Sequence, residues 1–550
     1  MKLSFKKTIY IGLAFLMISM FWSIYDSLIA KVLIDKFGMN QTWSGLVMAL
    51  DNMLALFLIP VFGALSDKSN HKKGRRTPYI VVGTIVAAFA FMFLTYSDNV
   101  QKSKIEAQSE IIADYDMIYK TNASLESQEI ISEDDRLQIV SNWIGIKNNI
   151  VSEWQSLRND GIVSDEKYDE MVRRVIVPMD QALSDNVITR TESETLKQAF
   201  SLHANERARV ITFQSPGTFI IFLGTLFVAL IAMQSFRSPA VALMPDVTIK
   251  PLRSKANAII NLMGTVGALI AISTTLIYGL DKYSYVNYMP AFFTIGIFML
   301  IILGIFLWKV KEPELVAERI STETKMGIFN QEENHDHLSA EEVESLSKSR
   351  KISLILILIS VTLWFFGYNA VTTKLSDYAP NVLEMGFALP NYIAYGSAAL
   401  AFIPIGLLAT RIGRKLTILI GIVLLTVCFG SVYFLRPDTS YIMYIIFAFT
   451  GIAWATINVN SYPMVVELSN ESNVGKYTGY YYTFSMAAQI ITPVLSGFLM
   501  DNTELGRKIL FPYAAVFVAM AFFTMLFVKH GDVKIPKKAS LLENFDVDLD

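Results

Sequence analysis

Apolar runs of roughly 20 residues, the length a helix needs to cross a bilayer core, recur about twelve times along the chain. They fall near 8–34, 41–66, 78–96, 216–246, 256–279, 288–310, 352–373, 389–410, 416–435, 441–467, 475–500 and 510–529, and short polar turns separate most of them. One turn occurs twice. Its first copy runs Gly63-Ala-Leu-Ser-Asp67-Lys68 through Gly74-Arg75-Arg76-Thr-Pro78, and its second runs Gly406-Leu-Leu-Ala-Thr410-Arg411-Ile-Gly413-Arg414-Lys415. Asp246 followed by Lys255, and Glu467 followed by Lys476 at the same interval, extend the repeat. The pattern predicts an all-α membrane protein of twelve transmembrane helices in two pseudo-symmetric halves, 1–310 and 352–530, joined by a linker at 311–351 and ending in a tail at 531–550.

Residues 97–215 break the alternation between the third and fourth spans. They are polar and helix-prone, and Ser132, Ser164 and Thr189 each precede an acidic stretch. A hydroxyl before carboxylates suits a helix N-terminus, so the segment predicts a small extracellular helical bundle. It is a surface insertion or a cap for a substrate or protein partner.

With 53% hydrophobic and 17% charged residues the chain is too apolar for one soluble domain, and its net charge of −2 gives no reason to expect nucleic acid. The basic residues do orient it. Lys6, Lys7, Lys72, Lys73, Lys250 and Arg253 mark alternate turns, which predicts a cell-membrane protein with both termini cytoplasmic. The first apolar run is too long for a signal-peptide core and is expected to remain as a helix. Cys428 is the sole cysteine, and His335-Asp336-His337 sits in a hydrophilic linker, so no metal site is expected. No phosphate-binding loop or catalytic constellation is visible, so neither a cofactor nor an enzyme is expected.

Gly63-x-x-Ser66-Asp67 with Gly74-Arg75-Arg76-x-Pro78-Tyr79-Ile80 resembles the loop between helices 2 and 3 of the major facilitator superfamily, in the form found in sucrose transporters and their relatives. Ser238-Pro239-Ala-Val-Ala242-Leu243-Met-Pro-Asp246 and the stretch from Gly451 to Gly497 are similar to that family's helices 4, 10 and 11. The resemblance implies alternating access and cation-coupled transport of a sugar. Two departures stand out: the family's helix-4 acid and base are Leu230 and Val241 here, and the paired aspartates of the related glycoside–cation symporters are Ala55 and Ile59. Arg237 lies one turn from Val241 and shares its helix face.

An ionisable side chain inside a span is costly and is kept where it faces a cavity or a partner. Asp26 and Asp51 are the candidate cation-coupling acids, and Arg237 the candidate partner of substrate or acid. Sugars need aromatic platforms and groups that donate and accept hydrogen bonds, which nominates Trp22, Tyr25, Asn369, Asn458, Asn460, Tyr481 and Gln489. Asp67, Arg75, Arg76 and Asp246, with Arg411, Arg414 and Glu467 in the second half, are expected to form a cytoplasmic gate between the halves. The reading is a secondary transporter, a cation (proton)-coupled symporter of a sugar or glycoside. Its alternatives are an exporter of amphiphiles on the same fold and a non-transporting sensor that uses the extracellular bundle.

Overall fold

A computed structural model describes residues 4–109, 112, 133–184, 190–249, 253–281, 286–325, 348–468 and 474–532. His335-Asp336-His337, Ser132, Thr189 and nearly all of the tail lie outside them. The described chain is helical throughout. The first half holds α1 (Phe5–Asp35), α2 (Gln41–Asp67), α3 (Thr77–Gln108), the insertion, α7 (Gly217–Val247), α8 (Arg253–Ile277) and α9 (Met289–Lys309). The insertion contributes α4 (Glu133–Asn159), α5 (Asp165–Met171, continuing through a π turn, Val172–Ile176, into Val177–Ala182) and α6 (Arg190–Gln214). After a linker helix, α10 (Glu312–Lys325), the second half holds α11 (Lys348–Val382), α12 (Ala388–Ile412), α13 (Arg414–Val432), α14 (Ile442–Val466), α15 (Val474–Asn502) and α16 (Leu510–Leu526).

Among the described residues, eleven helices are long and apolar enough to cross a membrane, and α12 is the helix of 25 residues at the remaining expected position. This is a multi-pass membrane protein. Prolines sit inside α2, α7, α11, α12, α14 and α15, which a membrane bundle tolerates because neighbouring helices re-satisfy the freed backbone groups.

Two helices carry the insertion. With 32 residues α3 is about 48 Å long, against a hydrocarbon core of about 30 Å, so its last turns stand clear of the bilayer. The insertion has its own apolar core, built on Trp143, Ile150, Trp154, Met171, Val175, Leu196 and Phe200. Ser164 caps α5 by accepting from the Lys167 N–H at 3.2 Å. At the heart of this bundle Trp154 Nε1 donates to His203 Nδ1 at 2.9 Å, and Arg207 and Ser109 converge on Glu153. Burial, reinforced by the nearby Arg207 guanidinium, pushes the His203 imidazole down to about 3. It therefore stays neutral.

The two ends of the bundle differ. At the insertion end the halves are tied by polar contacts: Gln41 Nε2 donates to Asp377 at 2.7 Å, Lys374 Nζ to the Gln41 carbonyl at 2.7 Å, and Thr42 to Asp501 from both its N–H and its hydroxyl. α2 and α15 cross there on glycines. A Cβ on Gly45 would lie 2.0 Å from the Pro493 carbonyl oxygen, and one on Gly497 would lie 2.3 Å from that of Gln41.

At the terminal end the basic turn closes on itself. Arg75 and Arg76 pair with Asp246 at 2.6 and 2.8 Å, and Arg76 also reaches Asp67 and the Ser66 hydroxyl. In the second half Arg414 pairs with Glu467 at 3.2 Å, while Arg411 is exposed and joins none of these groups. Among the described residues the expected pairs form inside each half, where the turn and the end of the neighbouring helix are already adjacent, and none of these charges pairs with the other half in this conformation. Glu312 on α10 completes the first cluster. It is 2% exposed and accepts from the backbone N–H groups of Arg76 and Thr77 and from the Thr77 hydroxyl, capping α3.

Candidate functional site

A cavity of about 240 Å³, room for roughly eight waters, lies between the halves. The first half lines it with Trp22, Asp26, Met48, Asp51, Asn52 and Arg237, and the second with Asn369, Thr372, Thr373, Gln489 and Pro493. Every charged group in the lining belongs to the first half. The second half supplies neutral hydrogen-bonding groups.

Asp26 reaches this cavity from a π-helical turn, Tyr25–Ile29, inside α1. Such single turns widen the helix, shift the side chains that follow, and recur at functional sites. The Asp26 carboxylate is half-buried and has no hydrogen-bond partner among the described residues. Asp51 is held more firmly. Asn52 Nδ2 donates to its carboxylate at 2.7 Å, and Gln234 Nε2 donates to its main-chain carbonyl at 3.2 Å.

Gln234 is fully buried on α7, one turn before Arg237. It pins that helix to α2 at the level of Asp51. Arg237 makes no ion pair within 4 Å among the described residues, and its guanidinium lies 5.8 Å from the centre of the Trp22 ring. Indole and cation at that distance attract each other through the ring quadrupole.

Trp22, Asp26, Asp51, Arg237, Asn369 and Gln489, nominated from the sequence, thus meet in one cavity. Tyr25, Asn460 and Tyr481 are spent elsewhere. The Tyr25 hydroxyl donates to the Met48 carbonyl at 3.2 Å, Asn460 Nδ2 to the Thr456 carbonyl at 2.9 Å, and the Tyr481 hydroxyl shares a hydrogen bond with Ser461. Asn458 is exposed, outside the lining.

The sequence reading missed Thr372 and Thr373, which look like ordinary helix residues, and an aromatic pocket next to the cavity. That pocket is lined by Tyr368, Asn391, Tyr395, Phe447 and Trp454, and Thr372 borders both spaces. Tyr368 and Trp454 stack at 3.6 Å between centroids, nearly parallel. Aromatic residues scattered over α11, α12 and α14 carry no short-range sign that they will converge.

Comparison with known proteins agrees with this architecture. The profile of the Major Facilitator Superfamily matches residues 209–403 and 387–539, and that of the MFS/sugar transport proteins matches residues 9–111. An uncharacterised MFS-type transporter of Methanocaldococcus jannaschii is 29% identical over 191 residues, which span 34% of this chain and 46% of that relative. The chain thus matches about half the length of this relative.

Among solved structures, the inward-open xylose transporter of E. coli aligns over 99% of both chains with a TM-score of 0.55 and 14% identity. A nucleoside transporter aligns over 95% of this chain and 100% of its own, with a TM-score of 0.52 and 12% identity. At these identities the likeness is one of fold. The duplicated helical halves, the charged turn between α2 and α3, and the cavity on the boundary accompany a profile match over more than half the sequence: the chain belongs to the Major Facilitator Superfamily, a family of membrane transporters.

Proposed function

We propose that the protein is a proton-coupled symporter of a sugar or glycoside, related to the sucrose and glycoside–cation transporters, and that Asp26 is its proton site. The observation that carries this reading is the charge set of the cavity: two carboxylates and one guanidinium, all from one half, facing a neutral wall on the other. With both acids ionised the cavity carries one net negative charge. A proton on Asp26 cancels it and leaves Asp51 balanced by Arg237.

A neutral cavity crosses between its two openings at lower cost, because desolvating an unbalanced charge inside the membrane is expensive. Asp26 is the acid with freedom to titrate, since Asp51 is already committed to Asn52. The neutral wall supports a polyhydroxyl substrate: the Asn369 and Gln489 amides can donate and accept, the Thr372 and Thr373 hydroxyls, which donate to the Asn369 main-chain carbonyl, can accept, and Trp22 offers an apolar face. The cell membrane is the proposed location, with the termini cytoplasmic and the insertion outside. Amphiphile export is the second reading, favoured by the aromatic pocket beyond Thr372, which suits an apolar appendage on the substrate.

Proteoliposomes test both. With glucose, xylose and sucrose as probes, an inward proton gradient should drive accumulation of at least one of them. Asp26→Asn should abolish that accumulation while leaving sugar-for-sugar exchange, which needs no net proton movement. Undiminished gradient-driven uptake by Asp26→Asn would remove Asp26 from the coupling role, and proton-driven efflux of amphiphilic dyes with no sugar movement would replace symport by export.

A further inference from the structure

The insertion is built onto the first half. Gln101 on α3 donates to the Lys36 carbonyl and to Thr212 on α6, both at 3.0 Å, and Lys104 bonds Ser215 and Thr218 at the start of α7. Gly38, with φ of 63°, lets the end of α1 pass so close to Arg209 that a Cβ would meet its backbone nitrogen at 2.3 Å. Helices α3, α6 and α7 therefore move as one body with that half.

On its other side α6 reaches across to the second half. Lys197 Nζ lies 3.8 Å from Glu384 Oε2, and the Ser201 hydroxyl donates to Asn381 Oδ1 at 3.4 Å. Lys197 and Ser201 are both 6% exposed, so the contact is sheltered from water. Glu384 holds φ of 50°, a left-handed backbone that non-glycine residues keep only where their surroundings fix them.

Asn381 passes the contact inward. Its Nδ2 donates to the Asp377 carbonyl and carboxylate at 2.8 and 3.1 Å, and that carboxylate also takes Gln41 from α2 and Arg507 at 2.7 Å each. Lys374, on the same stretch of α11, holds the Gln41 carbonyl, and Asn369, Thr372 and Thr373 below it line the cavity. One helix thus joins the insertion contact, the closed mouth and the substrate wall.

We infer that the insertion is a clasp whose partner is the second half of its own chain: it rides on the first half, grips the end of α11 through Ser201 and the turn just beyond it through Lys197, and holds the mouth of the cavity shut until grip and mouth release together. The inference rests on the alternating-access reading above. A clasp that touches only the closed form stabilises that form by its full contact energy, so weakening it shifts the population toward the open one.

The test uses full-length protein in proteoliposomes, with Cys428→Ser as background and Thr372→Cys as reporter, and a membrane-impermeant maleimide applied from the insertion side. Lys197→Glu should accelerate labelling about threefold by placing two carboxylates together. Glu384→Lys, which leaves the insertion untouched, should do the same, and combining the two should restore the original rate because the pair is re-formed in reverse. Asp501→Ala, which loosens the mouth elsewhere, is the reference. If it accelerates labelling while both single reversals leave the rate unchanged, the clasp is refuted and alternating access stands. If no variant, Asp501→Ala included, exposes position 372 to that side, the clasp and the alternating-access reading fall together.

Discussion

The N-terminus of α2 is capped twice, from two sides of the molecule, and this makes Asp501 a sensitive point of control. Asn40 caps in the ordinary way, accepting from the Trp43 N–H at 2.9 Å. Asp501, at the end of α15 in the other half, accepts from the Gln41 N–H at 3.1 Å and the Thr42 N–H at 2.8 Å. The second cap exists only while the halves touch at this end. A capping side chain contributes about 1 kcal/mol, and a carboxylate at a helix N-terminus adds about 0.3–1 kcal/mol.

Asp501 is exposed, so the lower figures apply, and Asp501→Ala should weaken closure by about 1.3 kcal/mol, roughly a ninefold change in the closed-to-open ratio. Spin labels at Tyr278 and Arg436, both exposed at the insertion end, would report the populations by pulsed dipolar spectroscopy in a Cys428→Ser background. Asn40→Ala is the control, because it weakens α2 in both conformations and should leave the ratio alone. A distance distribution unchanged by Asp501→Ala, or shifted equally by Asn40→Ala, would refute the argument.

Two further outcomes follow from geometry and titration. Gly45→Val places atoms where the Pro493 carbonyl now sits, so α2 and α15 must separate, and the same spin-label pair should report a majority of open molecules; an unshifted distribution would show that the helices do not meet there. His203, neutral and held down to about 3 where an unfolded histidine titrates near 6.5, favours the folded insertion fully above that upper value and progressively less as pH falls toward 3. The insertion should therefore lose about 1.4 kcal/mol of stability per pH unit across that window, followed by hydrogen exchange of α4 and α6, and His203→Gln should flatten the dependence.

What could be read from the sequence was whatever is local. Span length, the sign of the charges in each turn and the duplication of Gly63–Pro78 at Gly406–Lys415 depend on neighbours along the chain, and the helices fall where they place them. Which of the chemically suitable residues face the cavity was not legible, because side-chain chemistry alone does not say where a helix points it. The π turn at Tyr25–Ile29 aims Asp26 at the cavity and leaves the Tyr25 hydroxyl on the α2 backbone. Asn460 and Tyr481 have the right chemistry but had bonding partners on or beside their own helices, which composition does not disclose. The contacts of Asp501 with Gln41 and of Lys197 with Glu384 join segments that become neighbours only when the halves assemble.

The cap that Glu312 places on α3 has a consequence for synthesis. Thr77 emerges from the ribosome 235 residues before the carboxylate that binds it. Until then the first N–H groups of α3 lack this partner, so the cap is a late contact made across the length of the first half. Glu318, on the same linker helix as Glu312, meets Lys7 near the beginning of the chain, so the linker is tied to both α1 and α3 of the half that precedes it. The linker helix thus fastens the start of α3 and the beginning of the chain from one short segment that is made only after the first six spans.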